Sequence, residues 1–142
     1  MMLPLRYLTQ WRMAGLALLG VVFFAAIVPS SLFWPGGLPI SEWTEGDDKL
    51  VHAITFAFLT TWFGGQYAQQ GLWKILLGLA VFGVLIEICQ GVVGYRTRDA
   101  IDVVANLVGI LAGYLLVRFW LAGWSARIEA WFDRQLGRRS LE

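Results

Sequence analysis

The sequence predicts an all-α, polytopic membrane protein: four transmembrane helices followed by a C-terminal amphipathic interfacial helix. Three observations carry this. Of 142 residues, 58% are hydrophobic and 15% charged. A soluble fold of this length leaves too much surface in water to hide so many apolar side chains, whereas lipid can act as their solvent. The apolar residues fall into uncharged runs of membrane-spanning length. Finally, the chain has eight tryptophans, whose amphipathic rings settle at membrane–water boundaries. At this length a single membrane domain over 1–142 is expected.

The first helix is expected over about residues 11–28, where an uncharged run from Met13 to Val28 is closed by Pro29. Arg6 and Arg12 precede it, as basic residues precede a signal peptide. However, Pro29-Ser30-Ser31-Leu32 offers no small-x-small cleavage site, so the run reads as a retained helix. The connection over 30–49 is broken by Pro35-Gly36-Gly37 and Pro39, with Trp34 and Trp43 placed at the interface. The second helix is expected over 50–67, a length of about 27 Å. A short connection then makes its neighbour antiparallel. The third helix, 72–93, contains one acid, Glu87. The loop after it carries Tyr95, Arg96, Arg98 and Asp99. The fourth, 101–121, has Asp102 and Asn106 early and Arg118 late. Beyond it, Trp124, Ile128 and Trp131 fall at i, i+4 and i+7, with Arg127, Glu129, Asp133 and Arg134 elsewhere. That pattern predicts an amphipathic helix over 123–137, lying on the membrane and attracted to anionic lipid.

Basic residues orient the chain. Four spans put both termini on one side, with Arg6, Arg12, Lys74, Arg118, Arg127, Arg134, Arg138 and Arg139. The other side holds only Lys49, Arg96 and Arg98. The positive-inside rule therefore places both termini in the cytoplasm of a bacterial inner membrane, with the 30–49 and 94–100 connections outside. A net charge of +1 provides no dense basic face, so no nucleic-acid partner is expected. The one cysteine, Cys89, says nothing about redox compartment.

This topology gathers the intramembrane polar residues. Asp48, Lys49 and His52 begin the second helix near one face. Glu87 and Gln90 lie three apart near the outer end of the third. Asp99, Asp102, Asn106, Gly109 and Gly113 step by 3, 4, 3 and 4 residues, a continuous stripe that is polar outside and glycine deeper in. Glu87 and Asn106 both fall about 10–12 Å below the outer loop, a depth at which they could meet. A lone carboxylate there costs roughly 2.5 kcal/mol or more. Glu87 must be protonated, paired or open to a water-filled pocket, and Arg96, Arg98, Lys49 and His52 are its candidate partners.

Each residue also has a structural reading. Asp48 and Asp99 suit helix caps. Ala105, Gly109 and Gly113 suit close helix packing, and Gln90 and Asn106 suit interhelical hydrogen bonds. Arg118 can snorkel to the inner interface. Gathered on one side, the set Asp48, Lys49, His52, Glu87, Gln90, Arg96, Arg98, Asp99, Asp102 and Asn106 points instead to a functional pocket.

At these residues the sequence resembles the VanZ-like family of bacterial membrane proteins. The resemblance rests on Asp48-Lys49-x-x-His52, Glu87-x-x-Gln90 and Arg96-x-x-Asp99-x-x-Asp102-x-x-x-Asn106-x-x-Gly109. It covers about residues 48–117, and this chain resembles a minimal four-helix version. The family is named for a protein associated with low-level resistance to the glycopeptide teicoplanin. The resemblance thus implies an envelope role, glycopeptide resistance or envelope maintenance, without a settled biochemical activity or catalytic residues to carry over.

Three functions compete. The first is a non-enzymatic protein that binds an anionic lipid or cell-wall precursor head group through Lys49, Arg96 and Arg98, with no cofactor and no metal. The second is a membrane enzyme acting on an envelope lipid, pairing His52 with Glu87 or Asp102 as acid and base. The same imidazole and carboxylates suit a divalent metal, although no motif of known metal-ligand spacing occurs. The third is a proton-coupled transporter, which would need a polar path through the inner half of the bundle.

Overall fold

The computed structural model describes residues 2–28, 45–93 and 99–139, with side chains over 2–28, 48–93 and 99–135. Its helices are α1 (Leu8–Ile27), α2 (Glu45–Gly64), α3 (Leu72–Val93), α4 (Ala100–Leu116) and α5 (Trp124–Arg139). A 3₁₀ turn, Gln69–Gly71, leads into α3, and α4 widens into a π-helix over Val117–Leu121. No strand occurs among the described residues, although an isolated antiparallel bridge pairs Met2 with Tyr67.

Among the described residues, three helical stretches are long and apolar enough to cross a membrane. Leu8–Ile27, Gln69–Val93 and Ala100–Leu121 have mean hydropathies of 1.6, 2.2 and 2.1. Their outer faces agree with this. Leu16, Val21, Leu77, Val81, Val108, Leu111, Phe119 and Trp120 are each more than half exposed. So continuous an apolar surface would drive association in water but is solvated by lipid.

The second helix differs from its expected range. It begins at Glu45, before the uncharged run, and ends at Gly64 rather than residue 67. Acids at a helix N-terminus are favoured by the helix dipole, which explains why Glu45, Asp47 and Asp48 are helical. Asp48 therefore lies inside the helix and is not its cap. The early stop has a tertiary cause. The carbonyl of Gly65 accepts a hydrogen bond from Ser125 Oγ at 2.7 Å, and the Trp124 indole occupies the space that a Cβ on Gly65 would need. The charged first turns also make α2 less apolar than α1, α3 and α4.

Packing centres on α2 and α4, which share the most extensive contact. A Cβ on Gly109 or Gly113 would strike the backbone carbonyls of Ala53 or Ala57. The missing side chains thus let the two backbones approach. Half-buried Ala105 continues this small-residue row. Phe56, Leu59, Leu79, Ile86 and Ile110 form the core between α2, α3 and α4. In α1 the only buried residue is Gly15, which faces the Phe63 ring.

Hydrogen bonds define two ends of the bundle. At one end, Leu3 N donates to Gln66 O at 2.9 Å, and Ser125 ties α5 to Gly65. The N-terminus, the α2–α3 connection and the start of α5 share this end. At the other end, Lys49 reaches Asp99, Asp99 N reaches Glu87, and Gln90 Nε2 donates to Ala26 O at 3.2 Å. The start of α2, the ends of α1 and α3, and the start of α4 meet there.

Candidate functional site

The site is built around the first turns of α4. Asp99 caps that helix: it is extended, at φ −124° and ψ 111°, and its Oδ1 accepts from Ile101 N at 2.8 Å. Its other oxygen accepts from Lys49 Nζ at 2.8 Å. The Lys49 bond and the Ile101 N–H together hold the Asp99 carboxyl below the usual aspartate range. The backbone N–H of Asp99 donates to Glu87 Oε1 at 2.7 Å. The carboxylate expected deep in α3 thus supports the positive end of α4. Glu87 Oε2 is buried with no hydrogen-bond partner among the described residues.

One turn further along, Asp102 lies beneath Lys49, whose Nζ is 3.8 Å from Asp102 Oδ1. That is an ion pair but not a hydrogen bond, and Oδ1 has no hydrogen-bond partner among the described residues. Asp102 Oδ2 lies 4.0 Å from His52 Nε2. On the far side of the ring, His52 Nδ1 lies 3.0 Å from Asn106 Oδ1. A carbonyl oxygen only accepts, so Nδ1 is the donor in this contact, and the ring turns its Nε2 edge toward Asp102. Asp102 and Asn106 are 6% and 2% exposed, and His52 is 9% exposed. Gly83 on α3 leaves room for the Asn106 amide, since a Cβ there would crowd its Nδ2 at 3.1 Å. Asp48, one turn before His52, brings a carboxylate oxygen into the same cluster.

Helix geometry thus brings together Asp48, Lys49, His52, Asp99, Asp102 and Asn106, with Glu87 joined through the start of α4. Glu87 bonds the α4 backbone rather than Asn106, and Asn106 bonds His52. Gln90 turns away from this group toward the end of α1. Arg96 and Arg98, expected to supply positive charge, lie outside the described residues, as do Trp34 and Trp43.

A second polar cluster, at the opposite end, was missed from sequence. Glu129 on α5 is buried. It accepts from Tyr7 N and Trp11 Nε1 through Oε1, both at 2.9 Å, and from Arg6 N through Oε2 at 2.8 Å. Burial pulls its carboxyl upward, but these donors and the Arg6 charge outweigh that and hold it below the usual glutamate range. Arg6 also pairs with Asp133 at 2.7 Å. Trp11, Trp62 and Trp124 pack beside it in tilted and edge-to-face contacts, with ring centroids 5.3–5.6 Å apart. Trp124 therefore packs inward, while Ile128 and Trp131, expected on its face, stay exposed. The four-residue spacing of Ser125, Glu129 and Asp133 was the available signal for this inward stripe.

These features define an all-helical membrane protein with a buried polar cluster at one end of its bundle. The VanZ/LLP1 family profile matches residues 14–121, which include every residue of that cluster, and the chain belongs to this family. No curated protein and no solved structure is significantly similar to it.

Proposed function

We propose that the protein spans the bacterial cytoplasmic membrane four times with both termini inside, and that its outer polar site binds an anionic lipid or cell-wall precursor head group. Although α2 is less apolar than its neighbours, it runs between the same two ends as α3 and α4. If they cross the bilayer, it crosses beside them, and its charged first turns reach the surface. The excess of Lys and Arg at the opposite end supports the orientation. There, the exposed Ile128, Trp131 and Phe132 of α5 suit burial in the interface.

The observation that carries the binding reading is the burial of one imidazole, two carboxyls and an amide together, drawn from three helices to one end of the bundle. His52, Glu87, Asp102 and Asn106 come from three helices and all lie at one end. Deeper in α2, Thr60 and Thr61 donate to their own helix, to Phe56 O and Ala57 O, at 2.7 and 2.8 Å. No observation favours a continuous polar path, so transport gains no support. Lys49 is engaged by Asp99, so its use for a phosphate would exchange one anion for another. Arg96 and Arg98 are placed by sequence on the same outer loop. Native mass spectrometry against a panel of anionic and zwitterionic lipids tests the reading. Anionic lipids should bind preferentially, and Lys49→Ala and Arg96→Ala should weaken them; binding unchanged by both substitutions would refute it.

The oriented imidazole favours a second reading, an enzyme acting on an envelope lipid. With Nδ1 held by Asn106, Nε2 is placed as a general base and Asp102 can stabilise the resulting imidazolium. A mass change in envelope lipids incubated with the protein, abolished by His52→Ala, would establish it. Unchanged lipid masses would dismiss it.

A further inference from the structure

We infer that Asp48, His52 and Asp102 form a binding site for one divalent transition-metal ion of the manganese or zinc kind. One ligand atom from each residue lies within 4.8 Å of the other two. Around a tetrahedral ion at about 2.1 Å, neighbouring ligand atoms stand roughly 3.4 Å apart. Small side-chain rotations therefore close the set. Two features independent of this clustering point to a cation. Asp102 is 6% exposed, yet its Oδ1 has no hydrogen-bond partner among the described residues. A buried carboxylate oxygen whose ion pair is as long as the 3.8 Å to Lys49 is only partly compensated, and a closer cation would complete it. The second feature is the orientation of His52. Its Nδ1 is engaged by Asn106 Oδ1 at 3.0 Å, which turns Nε2 to Asp102 Oδ2 across 4.0 Å. Two potential ligand atoms thus face each other at a separation too long for a direct hydrogen bond. A metal-bound histidine characteristically donates its other ring N–H to a protein oxygen in this way.

Lys49 does not take the ion's place. Its Nζ bonds Asp99 at 2.8 Å and stops 3.8 Å short of Asp102 Oδ1. Two aspartates and a neutral imidazole match the charge of a divalent ion, and a mixed oxygen and nitrogen donor set suits manganese or zinc better than calcium. Three protein ligands leave at least one position open. Resting on the head-group reading above, that position would take a phosphate oxygen, which explains how so acidic a site could bind an anion. Asn106 is then a positioning residue, acting through His52.

The test uses tag-free, full-length protein in detergent micelles, stripped with EDTA and titrated with MnCl2 and ZnCl2. Free manganese is followed by electron paramagnetic resonance and bound metal by elemental analysis. About one ion per chain is expected. His52→Ala and Asp102→Asn should each weaken binding by about 100-fold or more, and Asn106→Ala by about 10- to 100-fold. Asp48→Asn, at a partly exposed position, tests the site without touching the core, and Glu129→Gln, at the other end, should bind like the parent. Uptake below about 0.1 ion per chain, or affinities of Asp48→Asn and His52→Ala within about twofold of the parent, would overturn the inference. Repeating the lipid panel with and without EDTA separates the two proposals. Ion uptake without lipid binding removes the head-group reading alone. Lipid binding indifferent to EDTA, with no ion uptake, removes the metal site alone.

Discussion

Glu129 fastens α5 to the N-terminal segment, and its removal has a calculable local effect. Its two oxygens accept three hydrogen bonds, from Tyr7 N, Trp11 Nε1 and Arg6 N. Glu129→Gln keeps one oxygen, which can retain the Tyr7 and Trp11 bonds. Its new amide N–H₂ then faces the Arg6 N–H, donor against donor. One charge-assisted bond is lost, about 1.5–3 kcal/mol, and a donor is left without an acceptor. Water recovers little of this, because Glu129 is 8% exposed. A loss of about 2–3 kcal/mol in the docking of α5 is expected, and more in Glu129→Ala, where all three donors are orphaned. Because these hydrogen bonds of Glu129 run to the N-terminal segment and α1, the loss should appear as local opening rather than bundle unfolding. Hydrogen–deuterium exchange in nanodiscs reads it directly. Amides of Arg6, Tyr7 and the first turns of α5 should exchange about 30- to 150-fold faster in Glu129→Gln. The lowered carboxyl sets the pH dependence. A group whose folded pKa is depressed contributes stability above its unfolded value and loses it as pH falls through the folded value. Docking should therefore be intact at neutral pH and loosen below about pH 4. Unchanged exchange at Arg6 and Tyr7 in Glu129→Ala would show that these bonds do not hold α5.

Other substitutions probe the bundle and the site. Gly109→Ala and Gly113→Ala push a methyl group into the α2 backbone, which cannot rotate aside. Each should destabilise by about 1–3 kcal/mol, seen as a lower melting temperature in detergent. Gly20→Ala and Gly78→Ala, with nothing within 4 Å of the added carbon, should be neutral or slightly stabilising; equal effects at all four positions would refute the close-approach account. Lys49→Met should let the Asp99 carboxyl rise toward the usual aspartate range, since Lys49 is the main cause of its lowering. Carbon-13 titration of labelled aspartate would register this. The Lys49–Asp99 contribution should be present above the ordinary aspartate pKa and lost as pH falls below it, and a flat titration difference would count against the pair.

Hydropathy and helical periodicity were enough to read a helical membrane chain, because lipid solvation requires long uncharged runs and these are visible along one dimension. The polar stripe of α4 was legible for the same reason: Asp102, Asn106, Gly109 and Gly113 repeat at helical spacing and do face the bundle interior. Helix order also sufficed to bring His52, Glu87 and Asp102 to a common end. Side-chain pairing was not legible. Glu87 bonds the backbone of Asp99, Asn106 bonds His52, and Gln90 leaves the cluster for α1, because partners are set by rotamer and interhelical distance rather than by residue type. The end of α2 at Gly64 and the inward turn of Trp124 and Glu129 depend on contacts between segments about sixty to over a hundred residues apart. The amphipathic pattern of α5 showed an apolar and a polar face. Only the tertiary structure decided that part of its polar face would be buried, because Arg6, Tyr7 and Trp11 bring the donors that make burying a carboxylate affordable.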